Sequence, residues 1–570
     1  MKKFLKITAF VLALILSVSF IACDAANNKM EAAGDDGMFN EPSDGGISKD
    51  ENNSSIAGDI NGTVKPSETS LENAEDAVPE EPDMPDGSLD EELPDGDDAT
   101  DSVGDKETEG EENNGAVEPP ITNLSSLITT PFTNTSEYKF STFSADVDTA
   151  SYTYFRKLVG FGYTLEDLRH SSETFRTEEF INYFRYDEKA PGVDELFGVT
   201  TSLVSCPWDE QTLLFRATLQ TETPITQAPN NLVFLIDVSG SMSSSDKLPL
   251  LKKAFSYLVS SLKPNDTVSI VTYSGREAVV LDGCTGSNPD AIMSAINSLT
   301  ASGSTNGEAG LTMAYQIAEK HMKEGSNNRI IMASDGDLNV GISSAEQLTR
   351  YIEEKRASGI YLSVLGFGSG NYRDEKMEAL ADNGNGVYYY IDGESEAEKV
   401  FGTDLTGTLY TVANDVKLQI EFNSQRVESY RLIGYDNRIL DKEDFEDDTK
   451  DAGEVGASHQ VTVCYEIKLA EIEDMDAIID APLMTLRVRY KNPGEPMSRL
   501  NEYMISGIKT RMTDDVRFIA SVIELVSLIR NPEYDGNITV ESILAELMSL
   551  NLTDPAKIEF REIVKTLATK

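Results

Sequence analysis

The chain has 570 residues, a formal net charge of −50 and 39% hydrophobic residues. This length suits about three domains with substantial cores, and so large an acidic excess argues against nucleic-acid binding through phosphate contacts. The four cysteines and three histidines form no CxxC or Cys/His cluster, so the sequence does not predict a zinc site.

Residues 1–22 have a basic start followed by an apolar run, which predicts a secretory signal peptide. The run ends in Phe20-Ile21-Ala22-Cys23, which resembles the lipobox of bacterial lipoproteins, although Phe20 stands where Leu is usual. The resemblance implies that Cys23 becomes the lipidated N-terminus. We therefore expect an extracytoplasmic protein that is lipid-anchored to the cell membrane. The alternative is an ordinary signal peptide with an incidental cysteine.

Residues 23–135 have the composition of a disordered tether. Thirty acidic and only four basic residues lie between positions 24 and 120, and aromatic residues are almost absent. Such a segment cannot bury enough apolar surface to offset its chain entropy. The predicted role of this segment is to let the folded part of the protein extend away from its anchor.

Residues 136–226 contain the sequence FSTFSADVDTASY from Phe140 to Tyr152, which leads into helical patterns. The pair Asp146 and Asp148 is close to the phosphotransferase motif DxDx(T/V), but Thr149 comes one residue too early and residues 138–145 do not read as a buried strand. Helix capping by Asp148 or Thr149 is the preferred interpretation. A second short helix is predicted at residues 177–184.

Alternating strands lie on both sides of the central region. Residues 212–221 place Leu213, Phe215, Ala217 and Leu219 on one face, as a half-buried strand does. We infer that the flanking strands pair into one antiparallel β-sandwich and that three C-terminal helices form a bundle. The predicted strands span residues 196–206, 212–221, 416–422, 460–467 and 483–490, and the helices residues 506–530, 540–550 and 555–567.

Residues 231–405 alternate between strand and helix, which predicts an α/β fold with a doubly wound, mostly parallel sheet. The apolar run 232–236 is typical of a strand that is buried on both faces. It ends at Asp237, at the carboxyl end of the strand, where open α/β sheets bind their ligands.

Oxygen donors follow this strand and return later in the chain. Asp237, Ser239 and Ser241 form Asp-Val-Ser-Gly-Ser, Thr305 lies in a glycine-containing loop, and Asp335 ends a second apolar run. Hard oxygen ligands suit Mg²⁺, or alternatively Mn²⁺ or Ca²⁺. Helix N-capping is the competing interpretation of Asp-x-Ser-x-Ser, and the distant Thr and Asp argue against it.

The five residues, in this order and spacing, resemble the metal-ion-dependent adhesion site of von Willebrand factor type A (VWA) domains. The resemblance implies a Rossmann-like fold in which the metal recruits a carboxylate from a partner protein. Most of residues 136–570 also resembles bacterial lipoproteins that carry a VWA domain between a characteristic N-terminal segment and an uncharacterised C-terminal domain. The implied division is signal peptide 1–22, tether 23–135, N-terminal region 136–226, VWA domain 227–408 and C-terminal sandwich with helices 409–570.

The predicted function is metal-dependent binding of a protein ligand that supplies Asp or Glu, not catalysis. A structural cell-envelope protein, in which the metal only stabilises the fold, is the first alternative. A Mg²⁺-dependent phosphohydrolase is the second, but it requires a base or nucleophile beside the metal. The histidines His170, His321 and His459 all lie far from the five site residues in sequence.

The remaining cysteines and one acidic segment could also support disulfide or metal chemistry. The three cysteines beyond Cys23 allow one disulfide with one free thiol, or three buried thiols, and we favour buried thiols. The acidic segment 441–451 is not an EF-hand, because Glu446 and Ala452 occupy the positions that require Gly and Glu. We predict a solvated loop there.

Overall fold

A computed structural model describes residues 131–222, 228–304, 307–336, 345–368, 374–471, 482–507, 509–531 and 538–570. The predicted signal peptide, Cys23 and nearly all of the tether lie outside the described residues, as does Thr305. Among the helices that are described, none combines the length and apolar character needed to cross a bilayer.

The strands are β1 (Thr133–Asn134), β2 (Phe140–Ser144), β3 (Gly198–Ser205), β4 (Thr212–Gln220), β5 (Asn230–Asp237), β6 (Thr267–Tyr273), β7 (Ala278–Thr285), β8 (Asn327–Ser334), β9 (Ile360–Phe367), β10 (Tyr388–Ile391), β11 (Thr411–Phe422), β12 (Val427–Ile433), β13 (Gly453–Gly456), β14 (Gln460–Leu469), β15 (Met484–Lys491) and β16 (Arg499–Ile505).

The helices are α1 (Ala150–Gly160), α2 (Leu165–Arg169), α3 (Thr177–Tyr183), α4 (Leu248–Ser261), α5 (Pro289–Ser298), α6 (Gly307–His321), α7 (Ala345–Ala357), α8 (Asp374–Asn383), α9 (Glu394–Glu398), α10 (Leu405–Leu409), α11 (Asp514–Arg530), α12 (Val540–Ser549) and α13 (Pro555–Ala568).

The central sheet has the strand order β10-β9-β8-β5-β6-β7. All neighbours are parallel except β6 and β7, which are antiparallel. Successive residues of β5 enter different cores, with Phe234 and Ile236 on one face and Val233 and Leu235 on the other. The predicted doubly wound, mostly parallel sheet is therefore confirmed, and the apolar run is explained by burial on both faces.

Two antiparallel sheets form the sandwich. One has the order β1-β12-β14-β4-β3 and the other β13-β11-β15-β16, with β2 added on β11. Strand β14 pairs with β4 from Gln460 opposite Gln220 to Lys468 opposite Thr212. Strands that precede the central sheet in the chain therefore pair with strands that follow it, which confirms that the central α/β sheet is inserted into one sandwich.

The residues of β4 alternate as predicted, and both faces are buried. Leu213, Phe215, Ala217 and Leu219 lie in the core between the two sheets, whereas Leu214 faces a helical layer on the outside. The burial of both faces explains why this strand has so few exposed positions.

The helical layer combines the two ends of the described chain. Helices α11 to α13 contact one another in sequence order, as predicted, but they also pack against α1 and α3. The aromatic side chains of Phe155, Phe180 and Phe184 share this core with Phe518 and Phe560. The prediction of a bundle formed by the C-terminal helices alone was therefore incomplete. The first of these helices begins at Asp514 rather than at residue 506, because the Thr513 side chain caps it there by accepting from the Val516 N–H.

The interpretation of the Asp146–Asp148 segment was wrong in two respects. Residues Phe140–Ser144 do form a strand, which pairs with β11. Asp148 does not cap α1; its Oδ1 accepts a hydrogen bond from the Tyr388 backbone N–H at 2.8 Å, and Thr149 makes no side-chain cap. Asp148 is buried, and its carboxylate contacts Tyr388 and Arg438, which lie far away in the sequence. A local sequence pattern does not indicate such partners.

The three described cysteines are free thiols. Cys206 and Cys464 are buried, and burial raises the pKa of both thiols to about 12. Cys284 is half-buried. The prediction of free rather than disulfide-bonded cysteines is thus confirmed for all three. The prediction that they are buried is correct for Cys206 and Cys464, whereas Cys284 is only partly buried.

Candidate metal centre

Two neighbouring parallel strands bring the predicted aspartates to one edge of the central sheet. Strand β5 ends at Asp237, and Asp335 follows directly after β8. The strands are in register, with Ile236 opposite Ala333. Asp237 is fully buried and Asp335 is 3% exposed. The site lies at the carboxyl ends of β5 and β8. The chain continues from β5 to β6 on one side of the sheet and from β8 to β9 on the other, and doubly wound sheets bind ligands at such a position.

The loop after β5 turns its hydroxyl groups toward one another. The Ser239 N–H donates a hydrogen bond to Asp237 Oδ1 at 2.8 Å, and the hydroxyl oxygens of Ser239 and Ser241 lie 2.9 Å apart. A 3₁₀ turn at Gly240–Ser243 follows, with Met242 fully buried beneath it.

A second loop is attached to the first by backbone hydrogen bonds. The Gly240 N–H donates to the Gly303 carbonyl at 3.0 Å, and the Ser302 N–H donates to the Val238 carbonyl at 2.7 Å. Gly303 has φ +85°, a backbone conformation that favours glycine. Thr305 follows two residues later, outside the described part of the chain, so what is fixed here is the loop that leads to it.

Tyr273 reports the negative charge beneath the site. It ends β6 opposite Asp237 and is fully buried. Burial, followed by the negative charge of Asp237 and Asp335, raises the pKa of its hydroxyl well above the ordinary value. The charges of both carboxylates therefore act on the same buried hydroxyl.

Lys247 is the site residue that the sequence analysis missed. Its Nζ lies 2.7 Å from Asp335 Oδ2 and donates to the Ser241 carbonyl at 3.0 Å. The ammonium thus bridges the loop after β5 and the end of β8. Its position immediately before α4 was the available signal, since that helix begins beside the Asp-x-Ser-x-Ser loop.

The donor set fits a hard cation. Asp237, Ser239, Ser241 and Asp335 offer only carboxylate and hydroxyl oxygens, which are the ligands that Mg²⁺, Mn²⁺ and Ca²⁺ prefer. The ammonium of Lys247 on Asp335 is itself a cation held at this edge. A metal bound here would act as a Lewis acid toward a further anionic oxygen.

The histidines lie elsewhere. His459 is buried in the body formed by the sandwich and the helices, where burial lowers its pKa to about 3. His321 ends α6 and contacts Asp282 of β7, and His170 contacts the Glu166 carbonyl. These contacts tie the three histidines to other parts of the chain.

A doubly wound sheet with this loop and these carboxylates at its carboxyl edge is characteristic of a VWA domain. Three family models match the chain: "von Willebrand factor type A domain" over residues 231–403, "von Willebrand factor" over residues 122–216, and "Uncharacterized protein YfbK, C-terminal" over residues 407–569. The chain belongs to the family of VWA-domain proteins that includes YfbK of Escherichia coli.

The chain is similar to several individual proteins. The chain is 38% identical to uncharacterized protein YfbK of Escherichia coli K12 over 435 residues, which is 72% of this chain and 75% of the relative. It is 27% identical to human inter-alpha-trypsin inhibitor heavy chain H3 over 261 residues, 43% of this chain but only 29% of that protein. Among solved structures, a von Willebrand factor type A protein from Catenulispora acidiphila is 16% identical with a TM-score of 0.37, covering 60% of this chain and 80% of that one.

Proposed function

We propose that the VWA module binds a divalent metal ion, Mg²⁺ in the first instance, and through it a carboxylate of a partner protein. The proposed ligands are Asp237, Ser239, Ser241, Thr305 and Asp335. The partner's Asp or Glu would fill a coordination position that these modest donors leave to solvent. No group is turned over in this scheme, so the proposal is a binding protein rather than an enzyme.

The observation that supports this proposal is the cation already placed at the sheet edge. Lys247 Nζ bridges Asp335 and the Ser241 carbonyl. Two buried carboxylates at one edge carry a large electrostatic cost unless positive charge accompanies them. The Lys247 ammonium offsets part of this cost at Asp335, and a divalent ion held by both aspartates would replace it there and neutralise both carboxylates.

The proposal extends to the rest of the chain. Residues 1–22 would direct export and Cys23 would carry the lipid, placing the protein outside the cytoplasm at the cell membrane. Residues 23–135 would act as an acidic tether. Residues 136–226 and 409–570 would form the body that supports the VWA domain, residues 227–408. The basis for export, lipidation and tethering is the sequence alone.

The decisive experiment is calorimetric titration of Mg²⁺ and Mn²⁺ into the chelated full-length chain and into Asp237→Ala. We expect one specific site in the wild type that the variant loses. Asp290→Asn is the matched control, since Asp290 is an exposed acid on α5 of the same module, and it should bind like the wild type. Retention of the site in Asp237→Ala would contradict the proposal.

The recruitment step has a separate readout. Mn²⁺ bound to a site with coordinated water enhances the relaxation of water protons, and a carboxylate that takes a coordination position lowers this enhancement. We expect a glutamate-containing peptide to lower it and the matching glutamine peptide to leave it unchanged. If metal raises the melting temperature but neither peptide changes relaxation, the structural alternative is correct.

A further inference from the structure

Three carboxylates converge in the sandwich, away from the candidate metal centre. Asp415 lies in β11, the first sandwich strand after α10, and Glu454 lies in β13, with Asp451 just before it. One carboxylate oxygen from each residue lies within 4.8 Å of the other two. Strands β11 and β13 pair here with shifted register, and Asp415 itself has φ +51°.

Glu454 is the residue that requires explanation. Glu454 is 8% exposed. No hydrogen-bond donor among the described residues reaches its Oε1. A buried carboxylate without a donor costs several kcal/mol, unless a cation or a proton neutralises it. The two neighbouring aspartates increase that cost, because all three groups carry the same charge.

Among the described residues, the ion pairs around this cluster are made by the two aspartates rather than by Glu454. Lys491 Nζ lies 2.7 Å from Asp415 Oδ2, and Arg356 of α7 pairs with Asp451 Oδ2. The Ala452 N–H donates to Asp415 Oδ1 at 3.2 Å. Each aspartate thus has a cation on one oxygen, whereas no ion pair of Glu454 is found among the described residues. The charges of Arg356 and Arg329 also act on Glu454, but no donor among the described residues reaches its Oε1.

We propose that Asp415, Asp451 and Glu454 form a second cation site that binds Ca²⁺, separate from the edge of the VWA sheet. The donors are carboxylate oxygens only, which suit a hard ion. Ca²⁺ tolerates irregular geometry and completes its shell with water, and Asp451 is exposed enough to admit water. This proposal does not depend on the proposed function.

The proposed cation site lies where the sandwich strands β11 and β13 meet α7 of the VWA module. Arg356 belongs to the VWA module, while Asp415 and Glu454 belong to the sandwich strands that follow it. An ion at these carboxylates would hold the bulged start of β11 against β13, next to the contact with α7. Ca²⁺ would therefore stabilise the junction between the VWA domain and its supporting body.

The competing occupant is a proton. Burial, followed by the charges of Asp451 and Asp415, raises the pKa of Glu454 well above its ordinary value. A protonated Glu454 would need no metal. The two occupants differ in a measurable way, since only the first gives a Ca²⁺ isotherm at neutral pH.

The test uses the full chain carrying Asp237→Ala, so that the first site is absent, and titrates Ca²⁺ at pH 7.5 by calorimetry. We expect one specific site above the weak background of the acidic residues between positions 24 and 120. Adding Glu454→Gln should weaken binding at least tenfold, about 1.4 kcal/mol. Glu446→Gln, an exposed acid in the same segment, is the matched control and should bind normally.

A second variant protects the test against misfolding. Asp451→Asn changes an exposed ligand, so the fold should survive, and we expect the same loss of Ca²⁺ affinity. Bound Ca²⁺ should also raise the melting temperature of the Asp237→Ala chain but not of the chain with Asp451→Asn added. The absence of a specific isotherm in Asp237→Ala, or an unchanged isotherm in both second-site variants, would overturn the proposal.

Discussion

Lys247 Nζ lies 2.7 Å from Asp335 Oδ2, with both side chains largely removed from solvent. The same ammonium donates to the Ser241 carbonyl, so a single lysine joins two segments that supply proposed metal ligands. A divalent ion at Asp335 would compete with this lysine for the same carboxylate. The free energy of metal binding then includes the cost of displacing Lys247, which makes the lysine a determinant of affinity.

Replacing this lysine should strengthen metal binding. We expect Lys247→Met to raise the affinity for Mg²⁺ about tenfold, or ~1.4 kcal/mol, because the competing charge is removed while the apolar stem is kept. Calorimetric titration of the chelated chain gives the measurement. Lys253→Met is the control. It removes an exposed lysine of α4 that pairs with Glu394 of α9, and it should leave the affinity unchanged. Weaker binding in Lys247→Met would show that the lysine supports the site instead.

Arg438 is the buried centre of an acidic cluster that joins three parts of the chain. Its guanidinium lies 2.7 Å from Asp382 and 3.2 Å from Glu378 of α8, and 3.4 and 3.6 Å from Asp146 and Asp148. Removing one partner of a buried ion pair leaves uncompensated charge, which costs about 3–5 kcal/mol. We expect Arg438→Met to lose about that much unfolding free energy in urea denaturation.

The control for this loss is Arg499→Met, which breaks an exposed pair with Glu495 and should cost less than ~0.5 kcal/mol. The pH dependence adds a second check. Carboxylates that lose Arg438 take up protons more readily, so the destabilisation should shrink as the pH falls from 8 to 5. A loss that is equal at both pH values would mean that packing, not charge, is what Arg438 contributes.

Much of this architecture follows from local sequence patterns. The apolar run of β5 and the alternation of β4 are consequences of burial on defined faces, and both appear directly in the sequence. Asp237 and Asp335 could be paired from sequence because each follows a strand of one parallel sheet. In these cases the information lies within a few residues of the feature.

The errors concern residues whose partners are far away in the chain. Asp148 has the sequence context of a helix cap, but its carboxylate accepts from Tyr388, 240 positions later. Lys247 reaches Asp335 across 88 positions, and the aromatic residues of α1 and α3 pack on α11 and α13. No periodicity encodes such contacts, because they depend on which surfaces the folded sheets bring together.

The buried thiols should differ sharply from Cys284 in reactivity. Cys206 is 3% exposed and Cys464 fully buried, and burial raises the pKa of each to about 12, so neither presents a thiolate at neutral pH. We expect iodoacetamide at pH 7.5 to modify Cys284 before Cys206 and Cys464 in the native chain, and peptide mapping by mass spectrometry gives the order. Cys284→Ser should abolish this first modification. Early labelling of Cys464 would show that the helical layer opens.

Glu524 provides a pH-dependent test of the helical layer. It lies on α11 among apolar neighbours, and burial, followed by the charge of Glu546, raises its pKa to about 7. The folded state therefore holds this proton more tightly than the unfolded chain, whose glutamates titrate near 4.5. The stability that the proton confers is complete at pH 4.5 and below, and is lost as the pH rises to about 7.

Glu524→Gln removes this dependence, since the amide stays neutral at every pH. We expect the variant to equal the wild type at pH 5 within ~0.5 kcal/mol and to exceed its unfolding free energy at pH 8 by about 2 kcal/mol, allowing for partial solvation of the carboxylate. Urea denaturation at the two pH values measures the difference. Glu324→Gln, an exposed acid in the turn before β8, should show no such crossover. A variant that is less stable than the wild type at pH 8 would mean that the carboxylate of Glu524 is ionised and bound in the native state, so that the helical layer contains a cation partner for it.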